Sequence, residues 1–244
     1  MRIAITRPKE RSEDTIRMVE DRGWEALIVP AVEIVPRSKD KIVADVRSLD
    51  LYDWLVLTSA SGAAIMWDYF GDALKKIKIA VIGPKTKEVL ERKGVAVALM
   101  PREYKAENLA EELIDLGIEG EDILVARASI GREVLIEKLK TVANVTEAPI
   151  YDTVPPEDTT GMKLLSPKLE RGKVDAVIFT SSQSVKNLFD VVDPEHVRSS
   201  NALICAIGPI TTKTLGEFGI KVDIIPKEYT VGAVLDMLED YHGG

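Results

Sequence analysis

The sequence predicts an α/β protein made of two doubly wound domains with parallel sheets. Short β-rich apolar runs alternate along the chain with amphipathic helical stretches, a pattern typical of parallel sheets covered by helices on both faces. The chain is also internally duplicated, because residues 53–59 return as residues 175–181 and residues 79–104 return as residues 204–229. A length of 244 residues suits two domains of ordinary size.

The predicted elements follow one another in strand–helix order. Ile3 to Thr6 is the first predicted strand, and Ile16, Met18 and Val19 then line a helix that Gly23 ends. Further predicted strands, each followed by a helical stretch, are residues 54–57, 79–82, 95–99, 123–126, 174–179, 203–207 and 222–225.

Two proline-bounded stretches, residues 30–36 and 149–155, resemble each other and are not followed by helical periodicity. They predict extended linker strands between the two halves. If the chain crosses twice, one domain is discontinuous and consists of residues 1–36 and 156–244, while residues 37–148 form the other. Two tandem domains remain the alternative on sequence alone.

Composition and charge limit the class of protein. The formal net charge of -8 disfavours nucleic acid as a partner, because phosphate binding needs a concentrated Lys/Arg surface. No apolar run is long enough to cross a bilayer, so we expect no membrane insertion. Residues 1–7 lack the apolar core of an export signal, and we expect a cytoplasmic protein. No long unpaired apolar stripe is evident, which favours a monomer.

Cofactor motifs are missing from the sequence. It contains no dinucleotide-binding glycine motif, no phosphate-binding loop, no zinc-protease motif and no paired cysteines. We therefore expect no nucleotide, metal or covalent cofactor. The one cysteine, Cys205, lies in an apolar predicted strand and is interpreted as a buried core thiol.

Two Ile-Gly-Pro segments lie where a predicted strand ends and a helix begins. Gly83 and Thr86 belong to the first, and Gly208, Thr211 and Thr212 to the second. Glycine permits close approach to a ligand, proline suits a first helical turn, and exposed amides there attract carboxylates. Helix capping without ligand binding is the alternative for either copy.

Hydroxyl-rich segments occupy the equivalent place after another predicted strand in each half. Such groups at the carboxyl ends of parallel strands are where open α/β sheets bind ligands. Helix capping is again the alternative. The candidates for substrate binding are Thr58, Ser59, Ser61, Thr180, Ser181 and Ser182.

Further candidates follow the leading strand of each half. Arg7 and Arg127 are placed to pair with a ligand carboxylate, although surface arginines without a specific role are common. Ser129 and Arg132 come shortly after Arg127, and Tyr229 follows a predicted strand, where it is either a ligand contact or a turn residue.

Tyr151 lies in the second predicted linker strand. A phenol at that place is a candidate proton donor to a bound ligand. Spacing alone favours a packing tyrosine over a catalytic one.

Together these segments resemble the uroporphyrinogen-III synthase family over essentially the full length. Their order, spacing and doubling carry the resemblance, because no single segment is specific. The segments are Thr6-Arg7-Pro8, Leu57-Thr58-Ser59, Ile82-Gly83-Pro84-Lys85-Thr86, Tyr151-Asp152-Thr153-Val154, Phe179-Thr180-Ser181 and Ile207-Gly208-Pro209-Ile210-Thr211 followed by Gly219.

The resemblance implies two flavodoxin-like domains joined by a two-stranded β linker. It also implies a lyase of tetrapyrrole biosynthesis that needs no cofactor. Its substrate, hydroxymethylbilane, loses its terminal hydroxyl as water, its last pyrrole ring is inverted through a spiro intermediate, and the ring closes as uroporphyrinogen III. Tyr151 matches the family's Tyr-x-Thr segment and is the implied acid, while the strand-end turns are expected to hold carboxylates of the substrate.

The sequence departs from the family pattern at two places. Ser182 stands where a proline is frequent, and Ile210 stands where a hydroxyl residue is often found. A contact at the second place is therefore expected from Thr211 or Thr212. A non-catalytic two-lobe binding protein or sensor is the alternative function, since it would share polar strand-end turns.

Overall fold

The computed structural model describes residues 1–9, 12–131 and 133–243, with the backbone alone for residues 242–243. The strands are β1 (Arg2–Thr6), β2 (Glu25–Ile28), β3 (Glu33–Pro36), β4 (Trp54–Leu57), β5 (Lys78–Val81), β6 (Asp122–Ala128), β7 (Asn144–Val154), β8 (Ala176–Phe179) and β9 (Leu203–Ala206). The helices are α1 (Glu13–Glu20), α2 (Lys39–Val46), α3 (Ala60–Phe70), α4 (Pro84–Glu91), α5 (Ala106–Asp115), α6 (Val134–Leu139), α7 (Thr160–Lys163), α8 (Leu165–Glu170), α9 (Ser182–Phe189), α10 (Pro194–Arg198), α11 (Pro209–Glu217) and α12 (Val231–Gly243). Two 3₁₀ helices, Leu49–Leu51 and Gly71–Lys76, precede β4 and β5.

The chain divides into two compact units. Unit 1 consists of Met1–Glu33 and Val154–Gly244, and unit 2 is the continuous segment Ile34–Thr153. The chain passes from one unit to the other at the start of β3 and at the end of β7.

The sheet of unit 1 has the strand order β2-β1-β8-β9, and all of its pairs are parallel. A single parallel bridge between Cys205 and Ile224 continues it beyond β9. Its central strands are buried along their length, as the apolar runs at β1 and β8 require.

The sheet of unit 2 has the order β3-β7-β6-β4-β5, and β7, β6, β4 and β5 pair in parallel. A parallel bridge between Ala80 and Leu99 continues it beyond β5. With β6 and β7 equated to β1 and β2, and β4 and β5 equated to β8 and β9, both sheets share one strand order, to which unit 2 adds β3 beyond β7. The internal repeat in the sequence therefore corresponds to a repeat in topology.

Each sheet is covered by helices on both faces. In β1, Ala4 packs into one core with side chains of α7, α8, α9 and α11, whereas Ile3 and Ile5 pack into a second core with α1 and α12. In unit 2, one face carries α2, α3 and α4 and the other carries α5 and α6. Each buried Leu or Ile contributes about 1.5–3 kcal/mol to these cores.

The predicted mixed α/β fold with largely parallel sheets is confirmed. The predicted strands at residues 95–99 and 222–225 are wrong, because only the single bridges at Leu99 and Ile224 form. Each segment lies beside an edge strand, β5 or β9, and pairs with it at that one residue. β2 was not among the predicted strands, although Ala26, Leu27 and Ile28 form an apolar run directly before the proline-bounded segment at residues 30–36.

No helix among the described residues is long and apolar enough to cross a bilayer.

Candidate active site

Polar residues in the turns after the parallel strands, and in the first turns of the helices that follow, lie at the carboxyl ends of the strands in each unit. In unit 2 these turns hold Thr58, Ser59 and Ser61 after β4, Gly83 and Thr86 after β5, and Ser129 after β6. In unit 1 they hold Arg7 after β1, Thr180, Ser181 and Ser182 after β8, and Gly208, Thr211 and Thr212 after β9. Parallel strands place these ends along one edge of each sheet.

Ser59 and Tyr151 meet in unit 2. Ser59 is the N-cap of α3, and its Oγ accepts a hydrogen bond from the Gly62 amide at 3.0 Å. The same oxygen lies 2.9 Å from the Tyr151 hydroxyl. Tyr151 is only 6% exposed and packs into the core of α2, α3 and α4. The residue is therefore both a packing tyrosine and a phenol held at a helix N-terminus.

A polar cluster lies beside Tyr151 on β7. The Ser129 amide donates to the Tyr151 carbonyl at 2.9 Å, and the Ser129 hydroxyl donates to the Asp152 carboxylate. Arg37 donates to both Asp152 oxygens, each at 3.2 Å. Hydrogen bonds from Arg37 and Ser129 hold the pKa of Asp152 below its ordinary value, so the carboxylate is ionised at neutral pH.

Arg127 is 5% exposed and is bound by two carboxylates of unit 2. Its Nε donates to Glu147 on β7 at 2.6 Å, and its Nη2 donates to Glu133 at the start of α6. Burial opposes the charge, but hydrogen bonds from the two glutamates raise the pKa of Arg127 above its ordinary value. The guanidinium expected to pair with a ligand carboxylate is thus bonded within unit 2 to Glu147 of β7 and to Glu133 before α6.

The Ile-Gly-Pro turn of unit 2 uses glycine for its backbone. Gly83 has φ +82° and ψ 157°, a conformation essentially restricted to glycine, and Pro84 begins α4. Thr86 is 3% exposed and its hydroxyl donates to the Ile82 carbonyl at 3.0 Å. The hydroxyl hydrogen of Thr86 is therefore directed at the main chain.

The Thr-Ser turn of unit 1 forms a closed network. Thr180 donates through its hydroxyl to the Thr6 carbonyl at 2.5 Å. Ser181 is the N-cap of α9 and forms a reciprocal capping box with Ser184. Ser182 is the first residue of α9 and is half-buried. Ser181 has the same capping role as Ser59 in the other half of the repeat.

The remaining predicted residues of unit 1 surround the start of α11. Thr212 donates to the Gly208 carbonyl at 3.0 Å, and Thr211 is 4% exposed. Tyr229 is 56% exposed, and a Cβ at Gly208 would lie 3.4 Å from its ring. Arg7 donates to Thr15 of α1 at 2.7 Å.

The repeat therefore gathers predicted residues into one polar edge per unit. Asp152, Arg37, Glu133 and Glu147 were not predicted, because charged residues on a strand or between a strand and a helix carry no signal of their partners. Arg132 lies outside the described residues. Among the residues that the structure does describe, no cluster of His, Cys, Asp or Glu is arranged to hold a metal ion. Cys205 is fully buried, and burial raises the pKa of its thiol to about 12.

Comparisons with known proteins identify the family. The sequence model described as uroporphyrinogen-III synthase HemD matches residues 13–236. The chain is 34% identical over 238 residues to a putative uroporphyrinogen-III synthase of Methanothermobacter thermautotrophicus, with 94% of each chain covered. It is 35% identical to a putative uroporphyrinogen-III synthase of Methanocaldococcus jannaschii, with 98% of each covered.

A solved structure agrees at the level of the fold. A mutant uroporphyrinogen III synthase of Thermus thermophilus superposes with a TM-score of 0.62 at 19% identity, and the match covers 100% of this chain and 99% of that one. On the extent of the sequence match and on these relatives, the chain belongs to the uroporphyrinogen-III synthase family.

Proposed function

We propose that this protein converts hydroxymethylbilane to uroporphyrinogen III, closing the macrocycle with inversion of the terminal pyrrole ring and loss of water. Membership of the family supports the reaction. The observation that carries the mechanism is the Tyr151 hydroxyl lying 2.9 Å from the Ser59 oxygen at the carboxyl edge of the sheet of unit 2.

Tyr151 is the proposed acid of the first step. The bond between the terminal carbon of the bilane and its hydroxyl oxygen breaks as the phenolic proton passes to that oxygen, and water leaves. The electron-rich pyrrole stabilises the cation that remains, so a single positioned acid, worth about 10²- to 10⁴-fold, suffices. The proton lost from the new ring system at the end returns to the phenolate and balances the reaction.

Ser59 directs the phenolic proton towards the substrate. Its oxygen already accepts the Gly62 amide, and its own hydrogen is available for the Tyr151 oxygen. When Ser59 donates in this direction, the phenolic hydrogen is left for the leaving group. The same hydrogen bond stabilises the phenolate that forms when the proton is transferred.

The strand-end turns are proposed to hold the carboxylates of the substrate. The bilane carries eight carboxylates, which a chain of net charge -8 repels at long range. The N-termini of α3, α4, α9 and α11 open at these turns, and each contributes about 0.3–1 kcal/mol towards a nearby anion. At Thr86 we expect the main-chain amides of the turn to bind the carboxylate, because the Thr86 hydroxyl donates to the Ile82 carbonyl.

We also infer that units 1 and 2 are two flavodoxin-like domains, with linker strands near residues 30–36 and 149–155. The support is the strand order of unit 1, which is the flavodoxin order 2-1-3-4-5 once the bridge at Ile224 is counted as the last strand. The sheet of unit 2 has the same spatial arrangement, but β4 and β5 precede β6 and β7 along the chain, and β3 is added beyond β7. We further propose that the enzyme is a cytoplasmic monomer. Sedimentation velocity of the purified protein tests its oligomeric state.

Product analysis tests the reaction. The purified protein is incubated with freshly prepared hydroxymethylbilane, the products are oxidised, and the isomers are separated by chromatography. We expect enrichment of the inverted isomer over the spontaneous background. An isomer ratio equal to that of spontaneous closure, with the bilane bound but not converted, would favour a binding protein instead.

The role of Tyr151 is tested separately with Tyr151→Phe. Loss of the phenolic proton is expected to lower kcat on the order of 10²-fold. Tyr52→Phe is the matched control, since Tyr52 packs half-buried against the same core and its change should leave kcat within about twofold of wild type. Full activity of Tyr151→Phe removes Tyr151 from the mechanism.

A further inference from the structure

The strand that carries Tyr151 departs from regular pairing at that residue. The register of β6 and β7 shifts between Arg127, which pairs with Pro149, and Ala128, which pairs with Tyr151. Ile150 and Tyr151 accordingly pack into the same core, which successive residues of a regular strand do not do. Pro149 has no amide hydrogen to donate to a ladder. The ladder between β6 and β7 is thus irregular next to the phenol.

Hydrogen bonds from outside the regular ladder hold this part of β7. The Arg37 amide donates to the Ile150 carbonyl at 3.0 Å, and the Ser129 amide donates to the Tyr151 carbonyl at 2.9 Å. The side chains of Arg37 and Ser129 then converge on the Asp152 carboxylate. Asp152 is therefore bonded to Arg37, which follows β3, and to Ser129, which follows β6. The amides of the same two residues hold the main chain at residues 150 and 151.

Asp152 does not bind the phenol itself. The phenol bonds to Ser59 and is buried, whereas the Asp152 side chain bonds to Arg37 and Ser129 and is 39% exposed. A partly exposed ion pair contributes little to global stability. Its two-pronged geometry nevertheless fixes the direction of the strand, because both Arg37 nitrogens and the Ser129 hydroxyl must be satisfied at once.

We propose that Asp152, through Arg37 and Ser129, is a positioning residue that holds the Tyr151 hydroxyl against Ser59. This inference rests on the proposed role of Tyr151 as the proton donor. It gives Ser129 a structural partner in place of a substrate carboxylate. We call the bonds of Asp152 to Arg37 and Ser129 the Asp152 clamp. Without this clamp, the irregular segment around residues 149–152 relaxes, and the phenol spends less time in the geometry that proton transfer requires.

A double-mutant cycle tests the proposal with Asp152→Ala, Tyr151→Phe and the double variant, measured by steady-state kinetics. We expect Asp152→Ala alone to lower kcat about tenfold with KM unchanged within about twofold, because orientation and not binding is lost. In the Tyr151→Phe background, Asp152→Ala should change kcat by less than about twofold. An equal loss of kcat in both backgrounds overturns the proposal, and so does full activity of either single variant.

Two further variants separate positioning from loss of charge or of fold. Asp152→Asn keeps an oxygen that accepts from Ser129 and should recover most of the lost kcat. Asp68→Ala removes the same charge from the exposed face of α3 and should leave kcat unchanged. Failure of Asp152→Asn to recover any activity, or an equal loss with Asp68→Ala, contradicts a positioning role.

Amide hydrogen exchange gives a readout that does not depend on turnover. Asp152→Ala should speed exchange in peptides that cover residues 150–154 while leaving the exchange of α5 unchanged. Unchanged exchange over residues 150–154 overturns the clamp even if the protein is inactive. The product ratio of the wild-type protein decides the proposed reaction separately, so the two failures are distinguishable.

Discussion

Removing the Ser59 hydroxyl should destabilise unit 2 more than removing its counterpart, Ser181, destabilises unit 1. Both serines are N-caps of the helix that follows the equivalent strand, and each accepts an amide three residues ahead. Only Ser59 additionally bonds to a buried phenol, Tyr151. The internal repeat thus supplies a matched control within one chain.

The expected magnitudes follow from these contacts. Loss of an N-cap costs about 1 kcal/mol, which is the whole expected effect of Ser181→Ala. Ser59→Ala loses its cap as well and leaves the Tyr151 hydroxyl, on a side chain that is 6% exposed, without its serine partner. That adds about 1–2 kcal/mol, for a total of about 2–3 kcal/mol.

Native-state hydrogen exchange resolves the two units, because peptides from α3 and α9 report on unit 2 and unit 1 separately. Urea unfolding followed by circular dichroism gives the global value. Tyr151→Phe combined with Ser59→Ala should cost less than the sum of the two single changes, since one hydrogen bond is lost in both. Equal destabilisation by Ser59→Ala and Ser181→Ala would show that the phenol contributes nothing, and the reasoning about the pair would fail.

Three other predictions follow from single residues. Gly83→Ala should lower the free energy of unfolding by about 1–3 kcal/mol, because a φ of +82° is strained for any residue with a side chain. Gly208→Ala, at φ -176°, should cost less and mainly displace the Tyr229 ring. The urea midpoints of the two variants give the comparison. Cys205 should resist a thiol reagent at pH 8 in the folded protein and react at once in denaturant, since its pKa is raised to about 12; rapid labelling of the folded chain contradicts this. The pKa of Asp152 is lower in the folded protein than its unfolded value of about 3.9, so the ionised carboxylate should stabilise the protein above that pH and lose this contribution as the pH falls through the folded value. The difference in unfolding free energy between wild type and Asp152→Asn should therefore shrink from pH 6 to pH 2 in urea titrations. A difference that does not change with pH refutes this.

The strand-end turns show how far local sequence reaches. A hydroxyl residue between an apolar run and a helical stretch marks Ser59 and Ser181 in the sequence, and it predicts either a helix cap or a ligand contact. The capping bonds span three residues and depend on local geometry alone. Such contacts are visible to sequence reasoning because the helix itself fixes their spacing.

The contacts of Tyr151, Asp152 and Arg127 lie beyond that reach. Tyr151 bonds to a residue 92 positions away, and Asp152 to one 115 positions away. Which strands are neighbours decides these partners, and the register shift between Arg127 and Ala128 accompanies the packing of Tyr151 into the same core as Ile150. A charged residue whose partner comes from another strand carries no periodic signal in its own segment.

The α/β class, the doubling of the chain and the polar turns at the strand ends are predictable from the amino-acid sequence, because hydrophobic period, glycine and proline placement and repeated segments are local properties. The strand order in each sheet, the failure of residues 95–99 and 222–225 to form full strands, and the pairing of Tyr151 with Ser59 are properties of the folded chain. Those outcomes depend on which backbone edges meet, and that is fixed by packing two faces of each sheet at once, a condition that no single segment encodes.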